Sequence, residues 1–154
     1  LNGGYDDNIT FSDLFLNSNY DRYRKELVPI FKNYDYIYVI ANYRAIPTDD
    51  LSKSKHIHVP DNFFSSYDKT LEKVMDELKS VESGAIILSS ASSLSNIIAH
   101  KLYLERQDIT FLDIGTSIND LLSMDNMIRS YHKQKKGFFR NIFYKKTKRN
   151  KIRW

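Results

Sequence analysis

The spacing of apolar residues changes repeatedly along this chain, and each change predicts an element. Tyr20, Tyr23, Leu27 and Ile30/Phe31 return at helical spacing and predict a helix over Asn19–Lys32, with Pro29 placed to kink it or end it early. Thr10 is positioned to cap a shorter helix over Phe11–Asn17. Tyr36-Ile37-Tyr38-Val39-Ile40 is aromatic and β-branched throughout, which predicts a strand. Lys55-His56-Ile57-His58-Val59 alternates polar with apolar and stops at Pro60, a second, shorter strand. Leu71, Val74, Met75 and Leu78 form the apolar stripe of a helix running from Ser66 or Tyr67 to about Val81. A buried strand at Ala85–Leu88, a helix at Ser93–Glu105, another buried strand at Ile109–Asp113 and a short helix around Ile118–Met124 follow.

The strands read as continuous apolar runs, as expected where helices cover both faces of a sheet. Strands alternating with helices of this length predict βαβ units. The expected fold is therefore α/β, a three-layer Rossmann-like domain with a mostly parallel sheet over residues 1–132. No internal repeat is visible. Residues 1–9 and 41–54 carry turn chemistry, including Gly3-Gly4, Pro47 and Asp49-Asp50, and read as loops.

A chain of 154 residues suits one domain with a single core. Its 11 Tyr and 9 Phe are abundant, and core and rim packing is their usual employment. There are no cysteines, which excludes disulfides and thiol chemistry. No apolar run reaches the length needed to span a bilayer. The chain opens on Leu1 with no signal-peptide pattern, and a fragment lacking its natural N-terminus is the expectation.

Charge divides the sequence more sharply than the net of +4 suggests. Residues 133–154 hold ten Lys or Arg and no acid, leaving residues 1–132 with thirteen bases against nineteen acids, a net of −6. The tail interleaves these cations with Phe138, Phe139, Phe143 and Tyr144. Such a segment suits an anionic membrane surface, or equally a solubilising tail; nucleic acid ranks third because the acidic body repels phosphates.

Candidate chemistry gathers where strands end. After the strand at Ala85–Leu88 comes Ser89-Ser90-Ala91-Ser92-Ser93, small hydroxyl residues at the start of a helix. Ser90, Ser92 and Ser93 could donate to a phosphate beside the helix amides, while the bland alternative is that Ser92 or Ser93 caps the helix. Asp113 ends the next strand before Gly115, Thr116 and Ser117. Its carboxylate suits a sugar hydroxyl or a divalent metal, or it caps the following turn. Arg129 could meet a phosphate or pair with Asp125, and His132 beside Tyr131 is a further candidate. His56 and His58 share a strand face as metal ligands would, without a third ligand at suitable spacing; a solvated face is the plainer reading. His100 reads as partly packed.

The segment around Leu94-Ser95-Asn96-Ile97-Ile98, then Thr110-Phe111-Leu112-Asp113-Ile114-Gly115-Thr116-Ser117-Ile118, then Ile128-Arg129-Ser130-Tyr131 resembles the GT-D-type bacterial glycosyltransferases (DUF1792-related) of surface polysaccharide and glycoprotein glycan synthesis. The likeness extends from about residue 10 to 132, with Asp113, Gly115, Thr116, Arg129 and Tyr131 on matching positions. Ser92-Ser93 stands where the family commonly has Gly-Pro, and Asn119-Asp120 where it often has Asp-Pro. The family's N-terminal Asp-Gly-Glu motif does not occur in this chain. The resemblance implies transfer of a sugar from a nucleotide-sugar donor to a glycan or lipid-linked acceptor. It implies a donor-binding set of Ser90, Ser92, Ser93, Asp113, Gly115, Thr116, Arg129 and Tyr131, with donor phosphates facing the three serines, Arg129 adding positive charge, Asp113 holding a sugar hydroxyl or a divalent metal (Mn²⁺ or Mg²⁺), and a cytoplasmic protein peripheral to the inner membrane face. The competing expectation is a non-catalytic module that binds nucleotide or sugar, or one that binds nucleic acid through its tail.

Overall fold

A computed structural model describes residues 15–124 and 128–132. The Thr10-capped helix, save its last residues, and the basic tail at 133–154 lie outside the described residues. Four strands, β1 (Ile37–Asn42), β2 (Lys55–Val59), β3 (Ile86–Ser89) and β4 (Thr110–Asp113), form one sheet in the order β2-β1-β3-β4. Every pairing is parallel, with Val39 opposite Leu88 and Leu88 opposite Leu112. The α/β expectation holds.

The N-terminal helix runs from α1 (Tyr20–Arg22) through a π-helical stretch (Tyr23–Leu27) into α2 (Val28–Phe31). Pro29 does not end it. A proline ring crowds the carbonyl four residues earlier, and the wider turn, in which the Val28 N–H reaches back to the Tyr23 carbonyl, makes room just ahead of it. Helix α3 (Tyr67–Lys79) joins β2 to β3, and α4 (Ser93–Glu105) joins β3 to β4.

Strand β1 alternates between two cores. Ile37, Val39 and Ala41 pack with Leu88 against Tyr23, Val28 and Phe31 of the N-terminal helix and against Ile118, Leu121 and Leu122. Tyr38 and Ile40 pack with Ile57 and Ile87 against Val74, Leu78, Leu94 and Ile98 of α3 and α4. Two covered faces explain why β1 and β3 are apolar at successive positions.

Two expectations need correction. Among the described residues strand β4 is an edge strand rather than a buried one: Thr110 and Asp113 are exposed, and Phe111 and Leu112 only half-buried. The expected helix at Ile118–Met124 is instead a 3₁₀ run over Gly115–Leu122. Thr116, Ser117, Asn119 and Asp120 are residues whose side chains compete for backbone groups, and Ser117 Oγ does donate to the Ile114 carbonyl at 2.6 Å.

At the opposite end of the sheet, Lys55 Nζ donates to Glu82 Oε1 at 2.9 Å, and the Tyr38 hydroxyl donates to Glu82 Oε2. Hydrogen bonds from Tyr38 and then Lys55 hold the Glu82 carboxyl down at about 2, from 4.5. A depressed carboxylate adds stability above its unfolded pKa and loses it as pH falls through the folded one. Wild type should therefore lose urea resistance between pH 4.5 and about 2, and Glu82→Gln should flatten that part of the profile. Leu88→Ala, at a fully buried position in the middle of β3, should lower unfolding free energy by about 2–5 kcal/mol in the same urea assay.

Candidate functional site

In a parallel sheet, ligands sit beyond the carboxyl ends of the strands, where the strand order reverses. Here the chain leaves β1 toward β2 on one side, while β3 lies on the other, so the reversal falls between β1 and β3.

The turn from β3 into α4 is held from beneath. Ser89 and Ser95 are fully buried, and their hydroxyls meet at 2.8 Å. The Ala91 amide donates to Ser95 Oγ at 3.2 Å, and the Ser90 amide donates to the Ile40 carbonyl of β1 at 2.8 Å. Neither Ser92 nor Ser93 caps the helix: no side-chain bond closes the α4 N-terminus, and both residues are exposed. Ser92 takes φ 54° and ψ −140°, a backbone region that side chains disfavour.

At the end of β4 the Gly115 amide donates to Asp113 Oδ1 at 3.2 Å, and Gly115 takes φ 48°. Asp113 therefore does close the following turn. Desolvation raises its pKa above the ordinary carboxylate value, opposed by the Gly115 amide and the Ser95 hydroxyl. Ser95 thus holds the turn from within, since Ser89 and the Ala91 amide both bond to it. The sequence reading missed Ser89 and Ser95. The available signal was a serine on the apolar face of α4, three residues before Ile98 and seven before Leu102.

Thr116 faces a different neighbour. Its hydroxyl meets the Tyr131 hydroxyl at 2.6 Å, and its carbonyl lies 3.0 Å from His132 Nε2. The Arg129 amide donates to His132 Nδ1 at 2.9 Å, so Nε2 carries the proton that Thr116 accepts. Tyr131 and His132 stack at 4.3 Å, with Tyr20 at 5.2 and 4.9 Å from the two rings. Tyr131 is accordingly buried and fastens this segment to the Gly115–Leu122 run. Arg129 is exposed; the expected partner, Asp125, lies outside the described residues.

The end of β1 supplies groups that sequence reasoning did not single out. Asn42 Oδ1 accepts from the Arg44 amide at 3.0 Å and from Arg44 Nε at 3.2 Å. Asp61 Oδ1 accepts from Asn42 Nδ2 at 2.7 Å and pairs with Arg44 Nη2. The guanidinium is thereby fixed beside the exposed Tyr43 ring, 5.5 Å from its centre. The signal was Asn42-Tyr43-Arg44 directly following an apolar strand. Beyond it, the Ile46 and Thr48 amides bond to the Leu122 and Leu121 carbonyls at 2.9 and 2.8 Å, joining this connection to the turn after β4.

The rim thus brings Ser90, Ser92, Ser93, Asp113 and Gly115 to adjacent strand ends, while Thr116 turns to Tyr131. Among the described residues no three His, Cys, Asp or Glu side chains cluster as metal ligands. A groove of about 370 Å³ lies elsewhere, lined by Phe15, Tyr23, Leu27 and Ile30 among others and by no rim residue. His100 is exposed rather than partly packed. No protein-family model, curated protein or solved structure matches the chain.

Two substitutions test this reading of the turn. Ser92→Gly should raise unfolding free energy by about 1 kcal/mol, because the strain exceeds the entropy that glycine gives up. Ser95→Ala should lower it by about 1–3 kcal/mol, because Ser89 loses its partner inside the core. Urea unfolding of both variants checks the pair.

Proposed function

We propose that the rim beyond β1, β3 and β4 binds a nucleotide-sugar donor, and that this Rossmann-like domain belongs to a glycosyltransferase of the GT-D type. The observation that carries the proposal is the open N-terminus of α4 at the place where strand order reverses. The positive end of a helix favours a phosphate group. The hydroxyls of Ser90, Ser92 and Ser93 would add donors, and their small side chains admit a ligand close to the backbone. Arg129, exposed, would add positive charge to the approach, whereas Arg44 is already neutralised by Asp61.

Asp113 would accept from a sugar hydroxyl, with the Gly115 amide fixing its orientation. If the diphosphate arrives with Mn²⁺ or Mg²⁺, Asp113 is the carboxylate placed to join it. Magnesium sites of this kind take their other positions from phosphate and water. Such an ion would neutralise the diphosphate leaving group. Thr116, Tyr131 and His132 would support the rim from behind rather than touch the donor.

The acceptor would be a glycan or a lipid-linked precursor, and the tail of residues 133–154 would bring the protein to an anionic membrane surface on the cytoplasmic side. Among the described residues no helix is long and apolar enough to cross a membrane, so contact with lipid would rest on that tail.

Calorimetric titration of the full chain with UDP and UDP-sugars, with and without Mn²⁺, tests the donor site. Wild type should bind, and Asp113→Ala should bind UDP-sugars about tenfold or more weakly. Failure of every nucleotide sugar to bind contradicts the proposal, and binding without sugar transfer favours the non-catalytic module. Flotation with anionic liposomes should depend on residues 133–154; equal flotation without them removes the membrane assignment.

A further inference from the structure

Tyr43 directly follows β1, one of the two strands that border the reversal of strand order. Its side chain is 56% exposed, yet its position is fixed. The Tyr43 amide donates to the Val59 carbonyl at the end of β2 at 3.1 Å. The ring is restrained as well, because the Arg44 guanidinium lies 5.5 Å from its centre, within cation–π range. That guanidinium is itself anchored: Nε donates to Asn42 Oδ1 at 3.2 Å, and Nη2 pairs with Asp61 Oδ1.

A single exposed ring on a surface needs no explanation. This one differs in being preorganised, and in standing at the edge where a nucleotide is proposed to lie. Tyrosine offers a flat face at low entropic cost, with only two side-chain torsions to fix. The spacing fits too. The Ser90 amide, where the turn into α4 begins, donates to the Ile40 carbonyl at 2.8 Å. Tyr43 follows Ile40 by three residues, roughly 10 Å farther at the rise of a strand. An extended nucleotide reaches about that far from its diphosphate to its base. We propose that the donor's nucleobase stacks on the Tyr43 ring, an assignment that rests on the rim's being the nucleotide-sugar site.

The two ends of the nucleotide call for different surfaces. The diphosphate is anionic and suits the N-terminus of α4, whereas the base is planar and suits an aromatic face. Arg44 does not serve the phosphates, because Asp61 already neutralises it; its part is to hold the ring. Phe64 is more exposed still, but it follows β2, one strand farther from the reversal. Every base has a π-face, so Tyr43 supplies affinity for the nucleoside rather than choice among bases.

Calorimetric titrations of the full chain with UDP and with inorganic pyrophosphate test the assignment. Tyr43→Ala should weaken UDP binding about tenfold and leave pyrophosphate binding unchanged, because stacking is lost while the phosphate contacts remain. Tyr43→Phe keeps the ring and should bind UDP as wild type does. The side chain belongs to neither core, so both variants should fold. Unchanged UDP affinity in Tyr43→Ala overturns the stacking assignment and leaves the donor site standing. Equal losses toward UDP and pyrophosphate also overturn it, since the residue would then act through the phosphate-facing turn. Absence of UDP binding by wild type overturns the donor site itself, and the stacking assignment with it.

Discussion

Burial of both faces of β1 and β3 governs this molecule. Parallel strands whose two faces are both sealed leave no room for polar side chains along their length. Val39, Ile40, Ile87 and Leu88 are fully buried, and helical segments close both sides. Polar chemistry is therefore pushed to the strand ends. At the carboxyl ends it appears as Asn42, Ser89-Ser90 and Asp113, one cluster after each of three adjacent strands.

What shapes that edge is a pair of buried hydroxyls. Ser89 and Ser95 have no water to turn to, so they satisfy one another, and Ser95 also takes the Ala91 amide. The turn between them is thus pinned at both ends. Ser92, in the middle, accepts an unfavourable backbone conformation while its side chain remains exposed. Strain held in place by surrounding structure often accompanies binding sites, and here it leaves the start of α4 without a side-chain cap. The neighbouring strand end is shaped separately, by the Gly115 amide that donates to the Asp113 carboxylate.

Much of this architecture was legible from periodicity. The expected helix at Ser93–Glu105 and strand at Lys55–Val59 coincide with α4 and β2, because each has clear boundaries in Ser92-Ser93 and Pro60. Edge position was not legible: Phe111 and Leu112 look as apolar as any central strand, and only sheet order shows that β4 has a neighbour on one side. The 3₁₀ run after β4 was hidden for a related reason. Ile118, Leu121 and Leu122 keep a helix-like apolar pattern, while the intervening Ser117, Asn119 and Asp120 draw the backbone into a tighter turn. Of the two outcomes expected at Pro29, an early end does not occur, because a π-helical stretch precedes it. At the candidate site, Ser90, Ser92, Ser93 and Asp113 could be placed from their position after strands. The supporting Ser89, Ser95, Asn42 and Arg44 left only faint signals, because their roles lie in hydrogen bonds that close the turns after β3 and β1.

The central claim is that the strand ends around the α4 N-terminus receive the donor's phosphates. A map of backbone amide shifts on adding UDP addresses it residue by residue. The account predicts that the largest shifts fall on Ser90–Leu94 and Asp113–Gly115, with the groove at Phe15, Leu27 and Ile30 unaffected. Shifts centred on that groove, or scattered over the surface without reaching Ser92 and Asp113, would contradict it.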